Sequence, residues 1–206
     1  MITVAHRGLF APKDMQNTSE GVSALVKSEH VFDMIEIDVR YSTDRTVVLC
    51  HDRECRNEQT NETLIGFLKK CSDYPVMLDI KAFGIVEAQK LARSVVDILS
   101  KIRYNKGWLC SFNEYCVAEL LSIRENNPNA PEFKVGVISS GIPLGVFNHL
   151  GNIEFVSLDY NCVCDDIVKC LHSNHVQVFV WVVNDESMIC MMTALGVDGI
   201  IRDFFI

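Results

Sequence analysis

The chain has 206 residues, 49% of them hydrophobic and 22% charged, with a formal net charge of −8. This is a globular composition, sufficient for one sizeable core in a single domain over residues 1–206. The acidic balance argues against nucleic acid or an anionic membrane surface as the main partner, and no apolar run approaches the ~18 residues of a membrane span.

Met1 leads directly into a strand-like segment, without the basic start and apolar stretch of a signal peptide, so a cytoplasmic protein is expected. Ile2 to Ala5 reads as a first strand ending at His6, and residues 7–15 as a loop. Asn17, with Glu20 three residues on, reads as a helix cap. Met34 to Tyr41 is a second strand, and Val47 to Cys50 a short piece folded back onto it through Thr43-Asp44-Arg45. A helix over Asn61 to Cys71 precedes the third strand, Val76 to Ile80. Helices over Ile85 to Ile102, Glu114 to Asn126, Pro143 to Leu150, Asp165 to Ser173 and Asp185 to Leu195 then alternate with strands. These strands are Trp108 to Ser111, Lys134 to Ile138, Phe155 to Leu158, Gln177 to Val183 and Gly199 to Ile201.

Eight apolar strands alternating with helices predict parallel pairing and a compact (β/α)₈ TIM barrel. Near-continuous apolar strands such as Val178-Phe179-Val180 fit a sheet covered on both faces. Active sites of such barrels lie at the carboxyl ends of the strands. There His6, Asp38, Lys81, Ser111, Asp159, Asn184 and Asp203 gather on one rim.

Glu36 and Asp38 are two apart on a strand and share a face, between apolar Ile35, Ile37 and Val39. Paired carboxylates aimed into an apolar interior call for neutralisation, and a hard divalent cation suits their oxygens. Asp79 and Lys81 share a face in the same way. Read singly, Glu36 and Asp38 fit an ion pair with Arg40 or Arg7, and Asp79 one with Lys81. The nine cysteines are odd in number and scattered, which does not describe a disulfide framework. Cys162, Cys164, Cys170, His172 and His175 lack the paired spacing of a zinc site.

The ordered set His6-Arg7-Gly8, Asn17-Thr18, Glu36-x-Asp38-Val39, Thr43-Asp44, Val47-Val48 and His51-Asp52 resembles the signature of glycerophosphodiester phosphodiesterases. Leu78-Asp79-Ile80-Lys81, Ser111-Phe112, Trp181-Val182-Val183-Asn184 and Asp198-Gly199-Ile200-Ile201 extend the likeness along nearly the whole chain. The resemblance implies a TIM barrel of the phospholipase-C-like phosphodiesterase type. It implies hydrolysis of a small-molecule or lysolipid phosphodiester with one divalent cation, magnesium, calcium or manganese. Carried over, His6 and His51 match the catalytic pair, Glu36, Asp38 and Asp79 the metal ligands, and Arg7, Lys81 and Trp181 the substrate-binding residues.

The sequence departs from that pattern in four places. Gln16 stands where the family usually has Glu, which makes the surroundings of Arg7 less negative. Asp79 stands where Glu is usual, one methylene shorter. Arg202 replaces a usual Thr near the rim, as a head-group contact or a surface charge. The segment after His51-Asp52 is short, which predicts a reduced lid, a more open site and less selective recognition of the alcohol. The third acidic position also resembles that of sphingomyelinase D-type phospholipases, which would yield a cyclic phosphate. A catalytically weak, phosphate-binding barrel is a further alternative.

Overall fold

The computed structural model describes residues 1–10, 15–53, 61–141 and 151–204, the side chains of Leu9 and Phe10 excepted. The helix expected over Pro143 to Leu150 falls outside them, as do residues 54–60 of the shortened segment.

Eight parallel strands close on themselves. They are β1 (Ile2–Phe10), β2 (Met34–Tyr41), β4 (Val76–Ile80), β5 (Gly107–Ser111), β6 (Phe133–Ser139), β7 (Phe155–Asp159), β8 (Gln177–Trp181) and β9 (Gly199–Phe204). β1 pairs with both β2 and β9, which shuts the barrel. β3 (Val47–Leu49) lies antiparallel on β2 outside the ring. Among the described residues six α-helices lie between strands: α1 (Ser19–Lys27), α2 (Leu64–Lys70), α3 (Gly84–Ile102), α4 (Glu114–Asn126), α5 (Asp165–Ser173) and α6 (Glu186–Ala194). Among the described residues no helix is long and apolar enough to cross a membrane.

The two-residue period of each strand sorts its side chains. Ile35, Ile37, Leu78, Leu109, Val156 and Val178 face outward into the helix-covered core. Met34, Met77, Trp108, Phe155, Phe179 and Ile201 face inward. Three aromatics plug the interior, with Trp108 at 5.1 Å from Phe155 and 5.4 Å from Phe179, and Phe155 at 5.7 Å from Phe179. Their offset and edge contacts suit the ring quadrupoles.

Glycine makes room for this plug. A Cβ on Gly136 would lie 2.5 Å from the Phe155 ring, and one on Gly199 2.3 Å from that of Phe179. The filled interior leaves the carboxyl rim as the place where a cavity opens.

Local signals explain where elements differ from expectation. α1 is capped by Thr18, whose hydroxyl accepts from the Gly21 N–H, and Asn17 is withdrawn into the barrel instead. α2 starts only at Leu64, because Thr63 caps it through the Gly66 N–H. β1 continues past His6 to Phe10, with its register broken between Ala5 and Phe10. Arg7 and Gly8 carry the break with φ of 54° and 59°.

Gly136→Ala is expected to cost about 1–3 kcal/mol of stability, since the new methyl must displace a packed ring. Urea unfolding checks this, and combining it with Phe155→Leu should recover part of the loss.

Candidate active site

The site begins with the alternation of β2. Inward-facing Glu36 and Asp38 are 5% and 2% exposed, and parallel pairing with β4 places Asp79 directly beside Asp38. One oxygen from each of the three carboxylates lies within 4.8 Å of the others. Two cations answer three acids. The Lys81 ammonium is 3.1 Å from Asp38 Oδ1 and also donates to Asp79 Oδ2. The Arg7 guanidinium Nε is 3.2 Å from Asp38 Oδ2.

The imbalance shows in the acidities. Burial, reinforced by the charge of Asp38, pushes the Glu36 carboxyl up to about 7. Burial likewise raises Asp79 to about 6, against the pull of Lys81. Burial disfavours the Asp38 carboxylate too, yet Lys81, Arg7 and the Asn17 amide outweigh it and hold its carboxyl below the usual range. Asn17 grips Asp38 twice: its amide donates to Oδ2 at 3.0 Å, and its carbonyl accepts the Asp38 N–H at 2.9 Å.

The donor set fits a hard divalent cation. It is all carboxylate, one acid exceeds the cations present, and the buried Asp79 Oδ1 has no hydrogen-bond partner. Oxygens that share one such ion at about 2.4 Å lie no more than about 4.8 Å apart, a limit these three meet. The shorter Asp at position 79 therefore still reaches.

The backbone break at Arg7 has a local purpose. It turns the Arg7 N–H onto Glu36 Oε2 at 2.9 Å, while the guanidinium also donates to Gln16 Oε1 at 2.8 Å. Gln16 thus supplies a neutral acceptor at the position where a carboxylate was expected by resemblance. Gly8 is required here, since a Cβ would meet Val22 at 2.6 Å and its φ is positive.

The histidines are held differently. His6 Nδ1 donates to Asp203 Oδ1 at 2.7 Å, and Asp203 is fixed by Asn184 through two further hydrogen bonds of 2.9 Å. An ionised Asp203 only accepts, so Nδ1 carries the hydrogen and Nε2 is left for the cavity. Burial works against the His6 cation, but the Asp203 hydrogen bond and the Glu36 charge prevail and its pKa is raised. The same contacts hold Asp203 below the usual carboxyl range against its own burial. His51 is exposed, with Nδ1 3.1 Å from Asp52 Oδ1.

All eight residues singled out in the sequence, namely His6, Arg7, Glu36, Asp38, His51, Asp79, Lys81 and Trp181, line one cavity of about 180 Å³ at the carboxyl rim. Phe112 and Ser157 line it as well. Trp181 stands edge-on to Phe112 at 5.8 Å, and its indole N–H donates to the Ser157 carbonyl at 3.1 Å.

Other rim residues do not join the site. Ser111 donates to the Ile80 carbonyl, and Asp159 caps the turn at Asn161. Arg202 faces away from the barrel interior and reaches Glu186 at 3.2 Å, which makes it a surface charge and no head-group contact. Arg40 pairs with neither Glu36 nor Asp38, and instead donates to the Asp52 carbonyl. Among the described residues the cysteine and histidine segment near Cys162 forms no metal-ligating group.

Sequence reading missed Asn17 and Asp203 as site residues. Asn17 was masked by a credible capping role. Asp203 had only its strand-end position to mark it.

Residues 79–206, more than half of the chain, match the Glycerophosphoryl diester phosphodiesterase family. YhdW of Bacillus subtilis (strain 168), a candidate glycerophosphodiester phosphodiesterase, is 24% identical over 241 residues, covering 99% of this chain and 95% of the relative. A glycerophosphodiester phosphodiesterase from Parabacteroides distasonis superposes with a TM-score of 0.81 at 18% identity, over 98% of this chain and 92% of that one. An Oleispira antarctica phosphodiesterase, solved in complex with the product sn-glycerol-3-phosphate, gives a TM-score of 0.79 at 18% identity, over 99% and 93%. Such distant structures speak for a shared barrel. The family match over most of that barrel shows that the chain belongs to the glycerophosphoryl diester phosphodiesterase family and is a phosphodiester hydrolase.

Proposed function

We propose that the chain cleaves glycerophosphodiesters to glycerol 3-phosphate and an alcohol, using His6 and His51 for proton transfer and a divalent cation held by Glu36, Asp38 and Asp79. The observation that carries this reading is the convergence of two histidines, three buried acids and two cations on one cavity. The glycerol 3-phosphate held by the Oleispira relative supports the product assignment.

Arg7 and Lys81 donate to the non-bridging oxygens of the anionic diester, where charge accumulates as the new bond forms. One imidazole takes the proton of the attacking oxygen as that oxygen bonds to phosphorus. The other gives a proton to the alcohol oxygen as its bond to phosphorus breaks. The Asp203–Asn184 pair orients His6 for one of these transfers. Glu36, Asp38 and Asp79 would hold a divalent cation, which when bound would supply withdrawal of charge from the phosphate oxygens. Trp181 and Phe112 wall the cavity and limit water.

His51→Ala should lower kcat by about 10²–10⁴-fold on a glycerophosphodiester, and chelator should abolish turnover. Release of glycerol 3-phosphate, followed by a coupled assay and phosphorus NMR, checks both; turnover within a few-fold of wild type sinks the His51 role.

Asp203→Asn removes the negative charge that helps to raise His6. The limb of the kcat/KM pH profile that reports His6 is therefore expected to move to lower pH, with folding judged unchanged by circular dichroism.

The fold favours protonated Glu36 and Asp79. Their stabilising contribution is full below the ordinary carboxyl range and is lost as pH rises through about 6 to about 7. Thermal unfolding in chelator should show Tm falling across that window. Added magnesium or calcium should raise Tm more above the window than below it, because protons no longer compete for the ligands.

A further inference from the structure

Beside the catalytic cavity lies a second basin of about 520 Å³ that shares His51, Lys81 and Phe112 with it. Its remaining wall includes Arg40, Arg53, Phe83 and Gly84. None of these four is used by the chemistry described above.

Arg40 is the unusual member. It is only 4% exposed, two residues beyond Asp38 on the inward-facing side of β2. One guanidinium nitrogen donates to the Asp52 carbonyl, and its Nε has no hydrogen-bond partner. Among the described residues it makes no ion pair with a carboxylate. A guanidinium cannot shed its proton, and a buried charge without a counter-charge is costly.

Two further features have the same sign. Arg53 is exposed and lies with its guanidinium 4.7 Å from the Phe83 ring, which Arg40 also approaches, at 5.4 Å. The 19-residue helix α3 begins at Gly84, and the N-cap residue Phe83 offers no side-chain hydrogen bond to it. The N–H groups of that first turn therefore present positive partial charge toward the basin.

Among the described residues the opposing acids are few. Asp52 lines the basin and pairs with His51, while Glu87 accepts the Phe83 N–H at 3.0 Å. Lys81 is already committed to Asp38 and Asp79.

We propose that this basin is a subsite for a negatively charged group on the alcohol portion of the diester, a carboxylate or a second phosphate. The proposal rests on the reading of the adjoining cavity as the phosphodiester site. A substrate whose phosphorus sits against Lys81 and His51 extends its alcohol into the basin across their shared edge. There a carboxylate or phosphate meets planar guanidinium donors that match its geometry. A quaternary ammonium placed there is repelled by both arginines and by the helix terminus. An open rim is a weak selector of shape, but the charge of its wall still discriminates between alcohols.

The test compares kcat/KM for glycerophosphoserine, glycerophosphocholine and a glycerophosphodiester whose alcohol carries a second phosphate, with lysophosphatidylcholine as an apolar control. Wild type should favour the second-phosphate alcohol over choline by about tenfold or more, and zwitterionic serine over choline by less, a preference reduced by salt. Arg53→Gln, at an exposed position, should cut that ratio by about tenfold. Arg40→Lys should cut it as well, keeping the charge but losing the fork.

The serine and second-phosphate arms distinguish which anion the subsite takes. Equal or greater turnover of the choline diester or of the lysolipid overturns the proposal, as does a ratio untouched in Arg53→Gln. If wild type turns over none of these diesters, the phosphodiesterase reading itself fails. Calorimetric binding of the same compounds then decides the subsite: anion-selective binding lost in Arg53→Gln upholds it, and equal binding overturns it.

Discussion

Three carboxylates buried at one end of an apolar barrel are the constraint on which the rest of the site depends. Burial alone would protonate them, and only partners keep any of them charged. Asp38 receives most of those partners: Lys81, Arg7 and both polar ends of the Asn17 amide. Glu36 and Asp79 receive fewer, and their carboxyls rise. The cluster is thus left one positive charge short. Such an arrangement costs stability without a ligand, and a divalent cation held there would offset that cost.

That cost is borne by the remainder of the barrel. Outward-facing aliphatics of every strand are buried under helices, and an aromatic plug of Trp108, Phe155 and Phe179 fills the interior beside the acids. Gly136 and Gly199, on the neighbouring strands, let the Phe155 and Phe179 rings lie across their backbone. The same two-residue alternation therefore builds both the apolar plug and the charged cavity next to it. Met34 and Met77 belong to the plug, and Glu36, Asp38 and Asp79 are the next inward positions along the same two strands.

Much of this was legible in the sequence because it depends on period alone. The alternation around Glu36 and Asp38 fixed their common face, and apolar runs separated by helical segments fixed the strand count. What periodicity could not convey was pairing across the barrel. Asn17 carried a plausible local role as a helix cap, and only the tertiary fold draws it to Asp38 while Thr18 caps instead. Asp203 and His6 are 197 residues apart, yet β9 closes against β1 and brings them together. Arg202 looked like a rim cation, but strand parity turns it outward while its neighbour Asp203 points in. Arg40 looked like a counter-ion for Glu36 or Asp38, and the short β3 hairpin holds it beside Asp52 instead. The family match begins at Asp79, so the opening motif from His6 to Asp52 stands on the geometry of the cavity it builds.

The two histidines are built for unequal tasks on the proposed chemistry. His6 is fixed through Nδ1 by an ionised, doubly anchored Asp203, which raises its basicity and aims Nε2 at the cavity. An imidazole so oriented is suited to accept a proton from the attacking oxygen. His51 is exposed, and it lines both the catalytic cavity and the cationic basin. On the proposed substrate placement, an alcohol seated in that basin would leave across the shared edge, with its departing oxygen on the His51 side. His51 then has the position from which to return a proton, and solvent access to be reloaded. On the proposed chemistry, an anchored base and an exposed acid follow from where β1 and the end of β3 deliver their histidines, one tied to the closing strand of the barrel and one on its outer lip.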